Sequence, residues 1–333
     1  MKKALKVTGI IFAVIIFVVL AGFIYFNSTY PKVKPAQNIK FEYTKERIER
    51  GKYLANHVTV CMDCHSTRDW SRYSGPLTPG TEGKGGERYD KSIGVPGVIY
   101  SKNITPAHLG TWTDGEILKA ITSGVNKDGK VLFPLMPYTN FSQLSQEDLY
   151  SIISYIRTLK PIKNDIPESS IDFPLSLIIK TIPSDYTPKS APDRSNPKEY
   201  GKYLVTIAGC NDCHTQAVKG EPVKGMMLAG GTEMKLPWGL IRSANITPDK
   251  ETGIGNWTKD DFLNRFKSYR SQDPYVKVNM KSDFNTVMPW QFFAGMTDED
   301  LGAIYEYLHS VKPVYNPVNR FTPNKNTELS ESR

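Results

Sequence analysis

Cysteine is scarce in this chain, four residues in 333, and all four fall in two close pairs, Cys61 with Cys64 and Cys210 with Cys213. A disulfide-stapled scaffold is thereby excluded. So is a four-cysteine zinc ribbon, whose pairs lie about 15–20 residues apart, far closer than Cys64 and Cys210. Histidine is also sparse, five in all, yet one follows each pair directly, as His65 and His214. A redox or disulfide pair has no need of a histidine there. Positive charge is in excess, formally +8, but residues 1–42 hold six lysines against Glu42 and leave only +3 for the rest. No basic surface for nucleic acid follows from that distribution. Nor does a convincing set of strands appear.

What is present is the sequence Cys-x-x-Cys-His, twice: Cys61-Met62-Asp63-Cys64-His65 and Cys210-Asn211-Asp212-Cys213-His214. This is the attachment pattern of c-type haem. Two thiols one helical turn apart can add to the two vinyl groups of one porphyrin, and the histidine after them lies under the iron as proximal ligand. The expectation is two covalently bound haem c groups, held by Cys61, Cys64, Cys210 and Cys213, with His65 and His214 on iron. Both motifs consume all four cysteines and leave none for a structural disulfide or a catalytic thiol.

The chain opens on Met-Lys-Lys-Ala-Leu-Lys, then runs uncharged from Val7 to Phe26. Twenty residues at about 1.5 Å each cover about 30 Å, a bilayer hydrocarbon core. A cleaved signal peptide would have a shorter apolar region and a small-x-small cleavage site, whereas Ala21-Gly22 precedes the bulky Phe23-Ile24-Tyr25-Phe26. Lys2, Lys3 and Lys6 keep the N-terminus cytoplasmic and send the rest outward. The expectation is an uncleaved single-pass anchor and tether over 1–43, with the haem motifs outside the cytoplasm.

Beyond the tether the chain repeats itself. Gly51-Lys52-Tyr53-Leu54 returns as Gly201-Lys202-Tyr203-Leu204, Asn103-Ile104-Thr105-Pro106 as Asn245-Ile246-Thr247-Pro248, Trp112-Thr113 as Trp257-Thr258, and Met136-Pro137 as Met288-Pro289. One domain used twice is expected, over 44–160 and 196–315, joined by a Pro- and Ser-rich linker over 161–195 and ending in a polar, mobile tail over 316–333. The linker's apolar island from Phe173 to Ile179 is too short to span a membrane and is expected to pack across the domain boundary. Middle helices are signalled by Thr113-x-x-Glu116 and Thr258-x-x-Asp261. Terminal helices follow capping boxes at Ser145/Asp148 and Thr297/Asp300.

Taken together, CMDCH, NITP, LMPY, CNDCH, NITP, GIGNWT and VMPW resemble the cytochrome c subunits of periplasmic alcohol and gluconate dehydrogenases, across roughly residues 44–313. That resemblance implies an all-α protein: two tandem class I cytochrome c-like domains after an N-terminal transmembrane helix in the bacterial inner membrane, the haem domains on the periplasmic side. Typical members carry three haem domains, and this chain has two motifs. For the sixth iron position the candidates are methionine, a second histidine or water. Met136 and Met288 hold matching places, and the resemblance makes them the distal ligands. His57, His108 and His309 have no counterpart in the other copy, nor do Met62, Met226, Met227, Met234, Met280 and Met296. Trp112 and Trp257, with Asn103 and Asn245, are candidates to line the haem edges and bond propionates, core packing being the other reading of the tryptophans.

The function implied is a membrane-anchored di-haem carrier, not an enzyme on its own. It passes single electrons between periplasmic or membrane redox partners, which are a dehydrogenase subunit, a quinol-oxidising complex or a terminal oxidase. The alternative is a di-haem oxidoreductase such as a peroxidase, in which one iron stays open. That chemistry wants the two copies to differ at the sixth position, and both retain a methionine.

Overall fold

The computed structural model describes residues 2–218, 220–270, 276–279 and 283–324. Met280 and the last part of the tail, on which the sequence carries expectations, lie outside the described residues. The first element is a helix over Lys2–Thr29 with no buried residue. Its apolar run is long enough to cross a membrane.

Each half is built on one helix pair. In the first, Thr44 caps Lys45–Tyr53 by accepting the Arg47 amide, and a π turn over Leu54–Val58 extends the helix towards Cys61–His65. In the second, Asn196 caps Pro197–Ile207, with Pro197 in the first turn, and the chain enters Cys210–His214 through Gly209 at φ 70°. These opening helices lie against terminal helices Gln146–Thr158 and Asp298–Ser310. Both crossings need glycine: a Cβ on Gly51 would overlap the Ser151 carbonyl, and one on Gly201 the Ala303 carbonyl. Leu54, Leu149, Ile152 and Ile153 from the first half and Leu204, Ile207, Leu301 and Ile304 from the second belong to one continuous buried cluster. The halves share a core.

Both middle helices, Asp114–Ser123 and Lys259–Lys267, have complete capping boxes, from Thr113 with Glu116 and Thr258 with Asp261. The terminal helices correct the expectation of two more. Ser145 and Thr297 do accept the amides of Asp148 and Asp300, at 3.1 Å each. The aspartate carboxylates, however, do not close the boxes; they reach across the molecule. Tyr203 donates to Asp148 at 2.6 Å and Tyr53 to Asp300 at 2.7 Å. Each tyrosine oxygen in turn accepts an amide at the start of the opposite terminal helix, Ser145 for Tyr203 and Thr297 for Tyr53. The repeated Gly-Lys-Tyr-Leu thus ties each half to the other in a reciprocal pair.

The all-α expectation needs correction. Among the described residues there are three small antiparallel sheets: Arg88–Asp90, Gly97–Tyr100 and Ser170–Ile171; Ala217–Val218 with Glu221–Pro222; and Glu233–Leu236, Gly239–Arg242 and Phe321–Pro323. Strands of two to four residues leave no readable alternation in a sequence. The expectation of a mobile tail from 316 is also corrected, because Phe321 pairs with Ile241 and packs edge-on against Phe284 at 5.5 Å.

Candidate haem-binding sites

Each Cys-x-x-Cys-His segment forms a single helical turn entered through a left-handed residue, Val60 in one half and Gly209 in the other. The turn puts both thiols on one side and the histidine just past them. Burial pushes the Cys64 thiol up to about 12, with the Asp63 charge adding to it, and burial with the neighbouring Cys213 does the same for Cys210. Such thiols stay protonated, unlike the depressed thiolates of redox pairs. Among the described residues no group of three or more His, Cys, Asp and Glu side chains is gathered to hold a metal ion.

The two imidazoles are oriented identically. His65 Nδ1 donates to the Lys102 carbonyl at 2.6 Å, and His214 Nδ1 to the Ala244 carbonyl at 2.7 Å. Burial holds both histidines below the ordinary imidazole range, despite the carbonyls pulling the other way. A neutral ring with Nδ1–H so engaged presents the Nε2 lone pair, the form that binds a metal. The accepting carbonyls are those just before Asn103 and Asn245. Behind them stand Gly85 and Gly230, at φ 66° and 71°, where any Cβ would overlap the accepting peptide. Their amides also close onto the His65 and His214 carbonyls at 2.8 and 2.7 Å. Sequence reasoning missed these two glycines, although Gly85-Gly86 and Gly230-Gly231 repeat at the same spacing as the other landmarks.

The asparagines serve this arrangement. Asn103 Oδ1 accepts the Thr105 amide and hydroxyl, and its Nδ2 donates to the Ile162 carbonyl at 2.7 Å. Asn245 matches it with Thr247 and the Val314 carbonyl, and spends its second amide proton on Thr252. Asn245 therefore has no donor left for a propionate; both side chains fix the loop that orients the histidine. Trp112 behaves differently. Its Nε1 is buried and has no partner, as is the Tyr138 hydroxyl. Orphaned buried donors are costly unless an acceptor reaches them, and a propionate is such an acceptor. Trp257 packs on the shared core.

Met136 and Met288 take equivalent positions, half-buried against the core cluster. Their carbonyls accept the Tyr138 and Trp290 amides at 2.7 and 2.8 Å, starting short helices Tyr138–Phe141 and Trp290–Phe293. Each helix meets the opposite half: Asn140 donates to Asp212 at 2.7 Å inside the second motif, and His57 Nδ1 donates to the Phe292 carbonyl at 2.8 Å ahead of the first. His108 stacks near Trp112, and His309 lies against Tyr305.

One device has no twin among the described residues. The loop after His65 crosses to Met288, where the Ser74 hydroxyl donates to the Met288 carbonyl at 2.6 Å and Gln291 donates to the Gly75 carbonyl at 2.8 Å. Buried Asn285 accepts the Ser74 amide and donates to the Trp70 and Arg72 carbonyls. Arg68, buried under Trp70, binds the Ser74 and Gly75 carbonyls and pairs with Asp63 of the first motif. Haem c fits the residues present: paired thiols, a neutral oriented imidazole and free buried donors occur together.

Comparison with known proteins agrees with that chemistry. The cytochrome c family model matches residues 199–312. The cytochrome c subunit of a quinone alcohol dehydrogenase from Gluconacetobacter polyoxogenes is 31% identical over 301 residues, covering 84% of this chain and 59% of that protein. The fructose dehydrogenase cytochrome subunit of Gluconobacter japonicus is 28% identical, covering 84% and 56%. A diheme cytochrome c-type protein of Cereibacter sphaeroides is 26% identical over 264 residues, covering 76% of this chain and 82% of its own length. The chain thus spans somewhat more than half the length of the dehydrogenase subunits it matches.

Proposed function

On the premise that this chain is a homologue of dehydrogenase cytochrome c subunits, with a cytochrome c domain over residues 199–312, we propose that it is a membrane-anchored di-haem electron carrier. In this reading 44–160 and 196–315 are tandem class I cytochrome c-like domains joined by 161–195. The observation that carries it is the pair of imidazoles turned by a backbone carbonyl, at 2.6 and 2.7 Å, one residue after each cysteine pair.

Cys61 with Cys64, and Cys210 with Cys213, hold one porphyrin each by thioether bonds. His65 and His214, and opposite them Met136 and Met288, would supply the iron's protein ligands. Trp112 Nε1 donates to a propionate in the first half. When bound, haem c supplies a one-electron ferric/ferrous couple. His65, His214, Met136 and Met288 would hold the iron, and the carbonyls and loops that fix the two histidines would keep those ligands in place. Closed irons favour relay over catalysis, and thioether ligation raises the potential.

The relatives' names make a dehydrogenase subunit the first candidate donor, with a quinol-oxidising complex or a terminal oxidase as other partners. The Lys2–Thr29 helix, with lysines at its start, supports an anchor in the inner membrane and haem domains on the periplasmic side. Intact mass of the denatured protein tests the cofactor count. Two covalent haems should remain, Cys210→Ala with Cys213→Ala should leave one, and haem that extracts into acidified solvent would sink the reading. Sequencing the mature N-terminus tests the anchor: a start after residue 22 removes it.

A further inference from the structure

The linker between the two halves carries the largest apolar exposure outside the anchor helix. Phe173 is 79% exposed, Ile178 53% and Ile182 37%. Of the island expected to pack across the domain boundary, Ile179 is buried, whereas Phe173 and Ile178 are exposed. Ile179 on one side, and the pairing of Ser170–Ile171 with Gly97–Val98 on the other, fix the segment to the protein body. Leu175 and Leu177 are half-buried, while Phe173, Ile178 and Ile182 face outward from a held backbone, so their exposure is not that of a loose loop.

Position decides what covers them. Lys180 Nζ donates to Asn27 Oδ1 at 2.6 Å, and the Lys34 amide donates to Asp185 at 2.8 Å. The first tie fastens the segment to the end of the Lys2–Thr29 helix, and the second holds the chain just after the segment to the tether that leaves that helix. Asn27 directly follows Phe26, the last residue of the apolar run, so the segment stands at the level where hydrocarbon gives way to headgroups. Apolar side chains at that depth bury about 5–10 Å into the boundary, with cations beside them on the lipid phosphates. Lys32 and Lys34 are exposed there.

We infer that residues 173–182 are a second membrane contact, seated in the outer headgroup layer of the bilayer that the anchor helix crosses. The inference rests on the anchor reading above and adds to it. One helix alone leaves the haem domains free to swing; a helix and a held apolar patch beside it set their height and rotation over the membrane. The occupant is lipid rather than a partner protein, because the patch is fastened to the one element that ends at the bilayer surface.

The full-length holoprotein in vesicles of phosphatidylethanolamine and phosphatidylglycerol, doped with a phospholipid bearing a diazirine on its acyl chain, provides the test. After illumination and digestion, label should appear on peptides from 7–26 and from 171–182, and not on those holding the exposed Val218 or Tyr315. Phe173→Glu with Ile178→Glu should cut label on 171–182 by at least about tenfold, as expected on losing two large apolar side chains from the boundary, while label on 7–26 is unchanged. Label on 7–26 without label on 171–182 overturns the inference and leaves the anchor standing, as a face reserved for a partner protein would give. Label on neither removes both. Label on 171–182 that survives the double substitution also overturns it, since the apolar contact would then not be what holds the segment down.

Discussion

The two halves repeat one design around His65 and His214 and differ around Met136 and Met288. Carbonyl-oriented histidine, glycine backing, asparagine-pinned loop and glycine helix crossing recur in both. Among the described residues the two methionines do not share their support: Met288 is held from the first half by Ser74, with Asn285 and Arg68 behind it. Such a difference lets duplicated sites keep one chemistry while their environments diverge. It also means that the backbone at Met288 is held by the first half.

The largest effects should come from the shared crossings. Gly51→Ala and Gly201→Ala each drive a Cβ into a carbonyl of the facing helix and should cost about 3 kcal/mol or more. Because the cluster is continuous, circular dichroism and tryptophan fluorescence should still report one denaturation transition for either variant. Two separate transitions would show that the halves have separate cores.

Next in size is the crossing strap. Asn285→Ala removes the partners of the Ser74 amide and the Trp70 carbonyl in a buried site, at about 2–3 kcal/mol. Ser74→Gly is gentler, since Ser74 sits at φ 62°, which glycine accepts, and only the hydroxyl is lost. Either change should speed hydrogen exchange at Trp290, whose amide faces Met288 and Ser74, and leave Tyr138 unchanged. Equal acceleration at both sites would erase the asymmetry.

The reciprocal tyrosines follow. Tyr203→Phe and Tyr53→Phe each remove a hydroxyl that serves a carboxylate and a helix-start amide, and should cost about 1–2 kcal/mol apiece. The pairs lie at separate places, so the double variant should be close to additive in urea denaturation. A sum far below the singles would mean the two contacts are not independent.

The smallest effect is the share of the pH dependence that His57 carries. Burial keeps His57 below the usual imidazole range, with Arg270 and Lys52 adding to it, while its bond to the Phe292 carbonyl opposes the shift. The unfolded chain therefore binds the proton first on acidification, so stability falls as pH drops below the unfolded value near 6.5. His57→Gln should flatten that slope in denaturation midpoints. An unchanged slope would assign it elsewhere.

Much of this was legible from residue order. Both attachment motifs, the capping boxes at Thr113 and Thr258 and the matched Met-Pro positions are local signals with local causes. Asp148 and Asp300 show where local reading stops: each occupies a capping position, yet its carboxylate is spent on a tyrosine over fifty residues away. Asn103 and Asn245, candidates to bond propionates, are also the residues that pin the loops whose carbonyls receive His65 and His214. Ser74 could not have been found, because nothing near it in sequence announces a contact with Met288. The short strands fail for another reason, having too few residues to show a period.

Carbon monoxide titration of the reduced protein bears most directly on two closed, matching irons. The wild type should bind little, since Met136 and Met288 would occupy both sixth positions, and Met136→Ala and Met288→Ala should each open about one site per chain. Ready binding of one equivalent by the wild type would contradict the account: one iron would be open, and an enzyme such as a peroxidase would become the better description.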